Sequence, residues 1–376
     1  MFFTKKVTRK GGFFVFFLDI CHTNDKLPLL KSILKMKKSL ITLGVLALFV
    51  LMAYGQEKKF ALYSVAFYNM ENLFDTIHDE GKNDYEYLPN GTNQWNTMKY
   101  KAKLKNMSEI LSMLSTDKLP MGPAIIGVSE IENYRVLEDI LKQPALADKG
   151  YQYVHYEGED RRGVDCAFFY NPKLFELTNS KLVPYVYIND TVHKTRGFLI
   201  ASGNIAGEKM HFIVNHWPSR AAASPVRERA GEQVRAIKDS LLREDSAAKI
   251  VIMGDMNDDP MDKSMAVALG AKRKPADVGP TDLYNPWWDT LKKGYGTLMY
   301  KGKWNLFDQI VFTGNLLGTD RSTLKFYKHE IFRRDFMFQK EGKYKGYPKR
   351  TQAGGVWLNG YSDHLPTIIY LIKEVK

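Results

Sequence analysis

Two short strings hold the densest chemistry in this chain: Gly254-Asp255-Met256-Asn257 and Ser362-Asp363-His364. The first follows the apolar run Lys249–Met253, and the second precedes the run Leu365–Tyr370. Other apolar runs are bordered in the same way. Asn69, then Glu71, follow one. Glu130 follows another. Asn215 and His216 close a third, and Asp308 opens a fourth. Asp255 and Asn257 stand two apart, so in extended chain they point to one side, and Gly254 lets the backbone come close to a neighbour. Taken singly, each string also reads as a polar turn, a solvated acid or a hydrogen-bonded rim histidine. Together they supply carboxylate, amide and imidazole groups suited to one hard cation and one phosphate, as metal-assisted phosphoester hydrolysis requires. Oxygen donors without a cysteine cluster favour Mg²⁺ or Mn²⁺, with Ca²⁺ as a structural or supporting ion, over structural zinc. Arg220 and Arg227 follow His216 closely and have the fork geometry that grips phosphate, although surface arginines are common.

The runs that must position these groups read as strands: Tyr63–Tyr68, Ala124–Val128, Cys166–Tyr170, Gly197–Ala201, His211–Asn215, Lys249–Met253, Gln309–Phe312 and Thr367–Leu371. Several are apolar almost throughout, as strands covered on both faces are. Two helices show in the spacing, over 98–114 and 225–242, the second opened by Ser224 as N-cap and Pro225 in the first turn. Strands alternating with a few helices imply layered α/β packing. Residues 261–307 and 326–361 read as long excursions carrying function or specificity. No repeat or linker divides the chain, so 56–376 is expected to be a single catalytic domain.

Residues 1–55 read as a leader. Translation is expected to begin at Met36, the alternative being a longer leader. Met36-Lys37-Lys38, the apolar run to Ala53 and Ala53-Tyr54-Gly55 have the pattern of a secretory signal peptide over 36–55. The protein is therefore expected to be exported, periplasmic or secreted, with no stable membrane insertion of the mature chain. The leader also distorts the charge. The whole chain is +12 with 54 Lys+Arg and 42 Asp+Glu, but 1–55 holds nine basic and two acidic residues, leaving +5 for the rest. That mild excess suits a polyanionic substrate without demanding one. With Cys21 in the leader, Cys166 is the single mature cysteine, so no internal disulfide forms.

With the order Asn-His, Gly-Asp-x-Asn, Ser-Asp-His, the chain resembles the endonuclease/exonuclease/phosphatase superfamily, or DNase I-like proteins, and in particular its exported bacterial members. The resemblance runs from about Tyr63 to Ile372 and includes Trp304-Asn305-Leu306-Phe307-Asp308-Gln309-Ile310. It implies a four-layer α/β/β/α sandwich, two packed mixed sheets flanked by helices, with the site at one rim. It implies metal binding by Glu130, with Asn69 and Asp363, and catalysis by His216, Asp255, Asn257, Asp308 and His364. Asn215 and Arg220 are expected to bind substrate, and Asp165 to be an acid that orients His216. The activity implied is phosphoester hydrolysis by a monomer. Nucleic acid is the first expected substrate; small phosphate esters, inositol phosphates or phospholipid headgroups are the alternative. Trp217, Trp287, Trp288 and Trp304 suit base stacking or loop packing, and Arg333-Arg334 with Lys343 to Arg350 form a candidate backbone-binding edge. A non-catalytic protein on the same scaffold is a further alternative, set against the completeness of the motifs.

Overall fold

A computed structural model describes residues 27–53, 58–190 and 192–375. The chain forms two compact units, Met1–Lys58 and Lys59–Lys376. In the first, Leu27–Ala53 is one helix, α1. The basic and apolar parts of the expected signal peptide lie on it, and its cleavage point at 54–55 lies outside the described residues. Among the described residues no helix is long and apolar enough to cross a membrane.

The second unit is built on two mixed sheets. One has the order β14-β17-β1-β2-β4-β3. Its strands are β1 (Lys59–Leu73), β2 (Ile125–Ile131), β3 (Gln152–His155), β4 (Asp165–Tyr170), β14 (Lys325–Ile331) and β17 (Thr367–Val375). The other has the order β5-β6-β7-β8-β13-β10-β9. It comprises β5 (Glu176–Val183), β6 (Phe198–Ile205), β7 (Glu208–His216), β8 (Lys249–Asp255), β9 (Ala271–Lys272), β10 (Leu283–Tyr284) and β13 (Asp308–Thr313). Two small hairpins, β11–β12 (Leu298–Tyr300, Lys303–Asn305) and β15–β16 (Gln352–Ala353, Val356–Trp357), stand apart.

Alternation along β1 shows how the layers arise. Val65 and Phe67 enter the cluster between the sheets, with Ile125, Phe168, Val214, Met253, Ile310 and Ile369. Ala66 and Tyr68 turn outward, beneath helices α2 (Thr97–Met113) and α3 (Tyr134–Leu141). A third cluster joins the outer face of the second sheet to α4 (Ser224–Glu244). Successive side chains point to opposite faces, and both faces of the central strands are covered, which is why those strands are largely apolar. The result is the four-layer α/β/β/α sandwich. Each fully buried Phe or Ile in these layers contributes about 1.5–3 kcal/mol. Close approach of the sheets needs Gly127, where a Cβ would stand 2.5 Å from the Met253 sulfur.

Every expected strand run coincides with a strand to within one residue, and both expected helices are present. Three local readings change. The N-cap of α4 is Ala223, and Ser224 is its first helical residue, its hydroxyl donating to Glu228. The excursion at 326–361 begins as β14, paired with β17. Helix α3 carries its own signal in Asn133, whose side chain accepts from the amides of Arg135 and Val136.

Strand direction places one end of the molecule in charge of chemistry. β1 and β2 run parallel, as do β7 and β8. Antiparallel β13 and β17 therefore begin where β8 and β1 finish. The carboxyl ends of four central strands and the starts of two others meet at one rim, where ligands bind in sheets of this kind.

Candidate active site

Register sets three side chains abreast. His216 at the end of β7 is paired with Asp255 at the end of β8, and Asp255 with Asp308 at the start of β13. The facing sheet supplies Asn69 and Glu130. Glu130 is not beyond its strand, as expected, but within it. Ser129 faces Cys166 and Ile131 faces Asp165, so Glu130 is the extra residue of a bulge, held at φ 58°. A second irregularity in β1 lies between Asn69 and Leu73, with Glu71 at φ 44° and Asn72 at φ 52°. Bulges re-aim side chains, and left-handed non-glycine residues persist only where their surroundings hold them. Here the Asn72 amide donates to Glu130 Oε2 at 2.9 Å.

The groups converge on Asp255. Asn69 Nδ2 donates to Asp255 Oδ2 (3.0 Å) and to Glu130 Oε1 (3.3 Å), while its Oδ1 accepts the Glu71 amide (2.8 Å). Asn69 thus turns its donor face to the carboxylates, a different orientation from that of an oxygen ligand. His216 Nε2 lies 3.6 Å from Glu130 Oε1 and 3.8 Å from Asp255 Oδ2. His364 Nε2 lies 3.8 Å from the same Asp255 oxygen, and its Nδ1 meets Asp308 Oδ2 at 2.7 Å. Ser362 ties the last segment to β1, its hydroxyl donating to the Asn69 carbonyl and accepting the His364 amide.

The two imidazoles are driven to opposite forms. Burial, then the charges of Arg196, Arg162 and His364, push His216 well below the usual histidine range. Burial also opposes charge on His364, but Asp308 and Asp255 outweigh it and hold that ring well above the usual range. Burial pushes the Asp255 carboxyl up to about 7, against the pull of His364. Groups whose environments separate their protonation states mark acid and base roles.

Arg196 fixes His216 from behind. Its Nε donates to the His216 carbonyl, its Nη2 to the Trp217 carbonyl, and its Nη1 pairs with Asp160 at 2.9 Å. Both partners are buried. Arg196→Ala leaves buried Asp160 with the Thr195 hydroxyl, the Arg162 amide and the Arg162 side chain at 3.8 Å, an expected loss of about 1–3 kcal/mol. Urea unfolding measures it, and an unchanged midpoint would refute the bracing role.

Several expected site residues lie elsewhere. Asn215 is fully buried; its amide donates to the Ile213 and Met253 carbonyls and accepts from Trp217, so it braces β7 and β8 rather than facing the rim. Asp165 accepts from His155 and from the Gly158 amide, not from His216, whose Nδ1 has no hydrogen-bond partner among the described residues. Arg220 is bound to Asp258, Asp259 and Asp262, and Arg227 to Asp258. Asn257 reaches Asp255 through its backbone amide, while its side chain donates to the Trp217 carbonyl. Asp363 sits at the rim but pairs with Arg350 at 2.8 Å. Trp217 and Trp287 are core residues.

A buried network behind Glu130 has no counterpart in the expectations. Glu71 accepts from Arg350 Nε (2.7 Å) and from the Thr351 amide (2.6 Å). Lys103, wholly buried, donates to Thr351 Oγ1 and the Tyr361 carbonyl, 3.9 Å from Glu71. Burial drives Glu71 and Lys103 toward their neutral forms. Lys103 was detectable in sequence as the one charge on the stripe Tyr100, Lys103, Met107, Ile110 of α2.

The donor set fits a divalent cation. Glu130, His216 and Asp255 each offer a ligand atom within 4.8 Å of the others. Among the described residues no Lys or Arg pairs with Glu130 or Asp255, and the charged ring of His364, 3.8 Å from Asp255, is shared with Asp308.

Residues 64–373 match the model of the Endonuclease/Exonuclease/phosphatase family. Among solved structures, an endonuclease/exonuclease/phosphatase family protein from Bacteroides thetaiotaomicron gives a TM-score of 0.53 at 15% identity, covering 85% of this chain and 98% of that one. A mannosyl-6-phosphatase from Bacteroides thetaiotaomicron VPI-5482 gives 0.51 at 15% identity, covering 82% and 99%. TDP2 from C. elegans gives 0.50 at 14% identity, covering 85% and 78%. At these identities the likeness is one of fold. No curated protein matches the chain.

Proposed function

The chain belongs to the endonuclease/exonuclease/phosphatase family of metal-dependent phosphoester hydrolases, and from that premise we propose that it cleaves a small, polar phosphate ester by in-line attack of water. The observation that carries the reading is the line His216–Asp255–Asp308 across three strands, closed by His364 and faced by Glu130.

Glu130 and Asp255 would hold the cation, Mg²⁺ or Mn²⁺. When bound it polarises the phosphoryl oxygens. Asp255, raised by burial and fixed by Asn69 and the Asn257 amide, takes the proton of the attacking water. His364, kept charged by Asp308, stabilises the negative charge gathering on the phosphoryl oxygens and gives a proton to the leaving oxygen. Neutral His216, its backbone pinned by Arg196, adds a donor to the same group. Asn69 keeps the carboxylates apart and aimed.

The substrate reading rests on what surrounds these groups. Arg220 and Arg227, expected to grip phosphate, are neutralised by Asp258, Asp259 and Asp262. The cavity wall that carries Asn72 also bears an exposed acid, Glu86, which repels a polyanion. A nucleic-acid substrate is favoured by one feature, a cavity of about 390 Å³ lined by Arg333, Arg334, Lys340 and Lys345. Incubation with Mn²⁺ separates the two. Phosphate release from p-nitrophenyl phosphate and sugar phosphates without plasmid nicking supports the small-ester reading; nicking without release reverses it.

The segment 36–55 supports export to the periplasm or medium. The mature protein is expected to begin at Gln56, which amino-terminal sequencing of the exported form checks. An intact Met36 would refute it.

A further inference from the structure

A polar cavity of about 180 Å³ is lined by Glu71, Asn72 and Arg350 among others. Its walls are the irregular end of β1, the turn at Tyr85–Tyr87 and the β15–β16 hairpin. Two links join it to the rim. The Asn72 amide, on its wall, donates to Glu130. Arg350 spans from Glu71 in the cavity to Asp363 at the rim.

The lining has a definite chemistry. The side chains of Asn72, Asn93 and Gln352 line the cavity and have no hydrogen-bond partner among the described residues. Each offers donors and an acceptor, the match for hydroxyl groups, which are both at once. The two cavity charges nearest the rim are already used, Arg350 on Glu71 and Asp363, and Glu71 on Arg350 and Thr351. Glu86 remains exposed, so a second phosphate is disfavoured there. The floor is aromatic and rigid. Tyr87 stacks on Phe74 at 4.2 Å and meets Trp95 edge-on at 5.9 Å, and Trp95 meets Trp357 of the hairpin at 5.8 Å. Such a floor accepts the C–H face of a ring. The volume lies below the roughly 300–1,000 Å³ of pockets for drug-sized ligands, leaving room for one ring. The hairpin turns through Gly354 (φ 57°) and Gly355 (φ 77°), the left-handed pair that a two-residue turn needs.

We propose that this cavity is the leaving-group subsite of the phosphate site and takes a single uncharged, polyhydroxylated ring, the sugar of a sugar phosphate. The inference rests on the phosphoester hydrolase reading and deepens it. In the reaction the water oxygen bonds to phosphorus as the bond from phosphorus to the sugar oxygen breaks. That oxygen takes a proton, and the products are inorganic phosphate and the free sugar.

The test compares the parent full-length protein with Asn93→Ala/Gln352→Ala, neither position being in the catalytic set. Substrates are hexose 6-phosphates, ribose 5-phosphate, adenosine 5′-monophosphate and p-nitrophenyl phosphate, all with Mn²⁺. Losing the hydrogen bonds of two amides is expected to raise KM for the preferred sugar phosphate about tenfold. For p-nitrophenyl phosphate, kcat/KM should stay within about twofold. An equal loss on both substrates, no change on any sugar phosphate, or a preference for the nucleotide would overturn the proposal. Binding of methyl hexosides, followed by ligand-observed NMR, gives a second readout independent of turnover. Binding by the parent and its loss in the double variant support the subsite, and no binding by the parent counts against it. If no phosphoester is cleaved at all, the hydrolase reading falls, while glycoside binding still decides the cavity.

Discussion

Asp255→Ala is expected to lower kcat about 10³–10⁴-fold and to leave the fold intact. The size follows from position. Asp255 takes hydrogen bonds from Asn69 and the Asn257 amide, and both imidazoles lie within 3.8 Å of one of its oxygens. Among the described residues no other carboxylate is so placed, because Asp308 is occupied by His364 and Glu130 by the amides of Asn69 and Asn72. The intact fold follows from the sign of the titration. Burial raises this carboxyl from 3.8 to about 7. A carboxyl raised on folding disfavours the folded state progressively as pH climbs through that interval. Removing it therefore relieves that cost near neutral pH, and in EDTA the variant is expected to melt as a folded protein. Steady-state turnover of p-nitrophenyl phosphate, with circular dichroism melts of the same samples, checks both halves. A folded variant with near-parent turnover would remove Asp255 from the mechanism.

The second large effect is metal removal. Exhaustive EDTA treatment is expected to cut turnover about 10³-fold, the equivalent of the several kcal/mol that a Lewis acid supplies at a developing phosphoryl charge. Mg²⁺ or Mn²⁺ should restore it. Glu130→Gln should need far more metal for half-maximal rate, because it removes one of the two carboxylates that converge with His216. Calorimetric titration of the treated protein reads the same change without turnover. Unaltered activity after EDTA would exclude the mechanism, and an unshifted metal requirement in Glu130→Gln would exclude Glu130 as a ligand.

What the sequence made legible was the scaffold and the order of the rim groups. Strands such as Lys249–Asp255 announce themselves because both faces are buried, so Ile250 to Met253 are apolar without a break. The strand β14 was hidden for the opposite reason. Its residues Lys325 to Ile331 mix charged and apolar side chains at a sheet edge, and none is fully buried. The bulge at Glu130 was equally hidden, since a bulge depends on partner register, which no single segment records. Side-chain commitments were the least legible. Arg220 and Asn215 have suitable chemistry beside His216, yet one is claimed by three acids and the other by two backbone carbonyls. Lys103, Glu71 and Arg350 come from three distant segments, and only folding shows that they share one network.

The bond between the Ser362 hydroxyl and the Asn69 carbonyl spans 293 positions of chain. Asn69 stands on β1 and His364 just before β17, and those strands must zip together before either group meets Asp255. Pairings this remote close late, because the loop entropy must be met before the contacts form. A nascent or partly refolded chain therefore cannot hydrolyse anything, however much helix and hairpin it has gained. Recovery of turnover after denaturation would trail the recovery of circular dichroism, which makes activity a clock for the final docking of first strand against last.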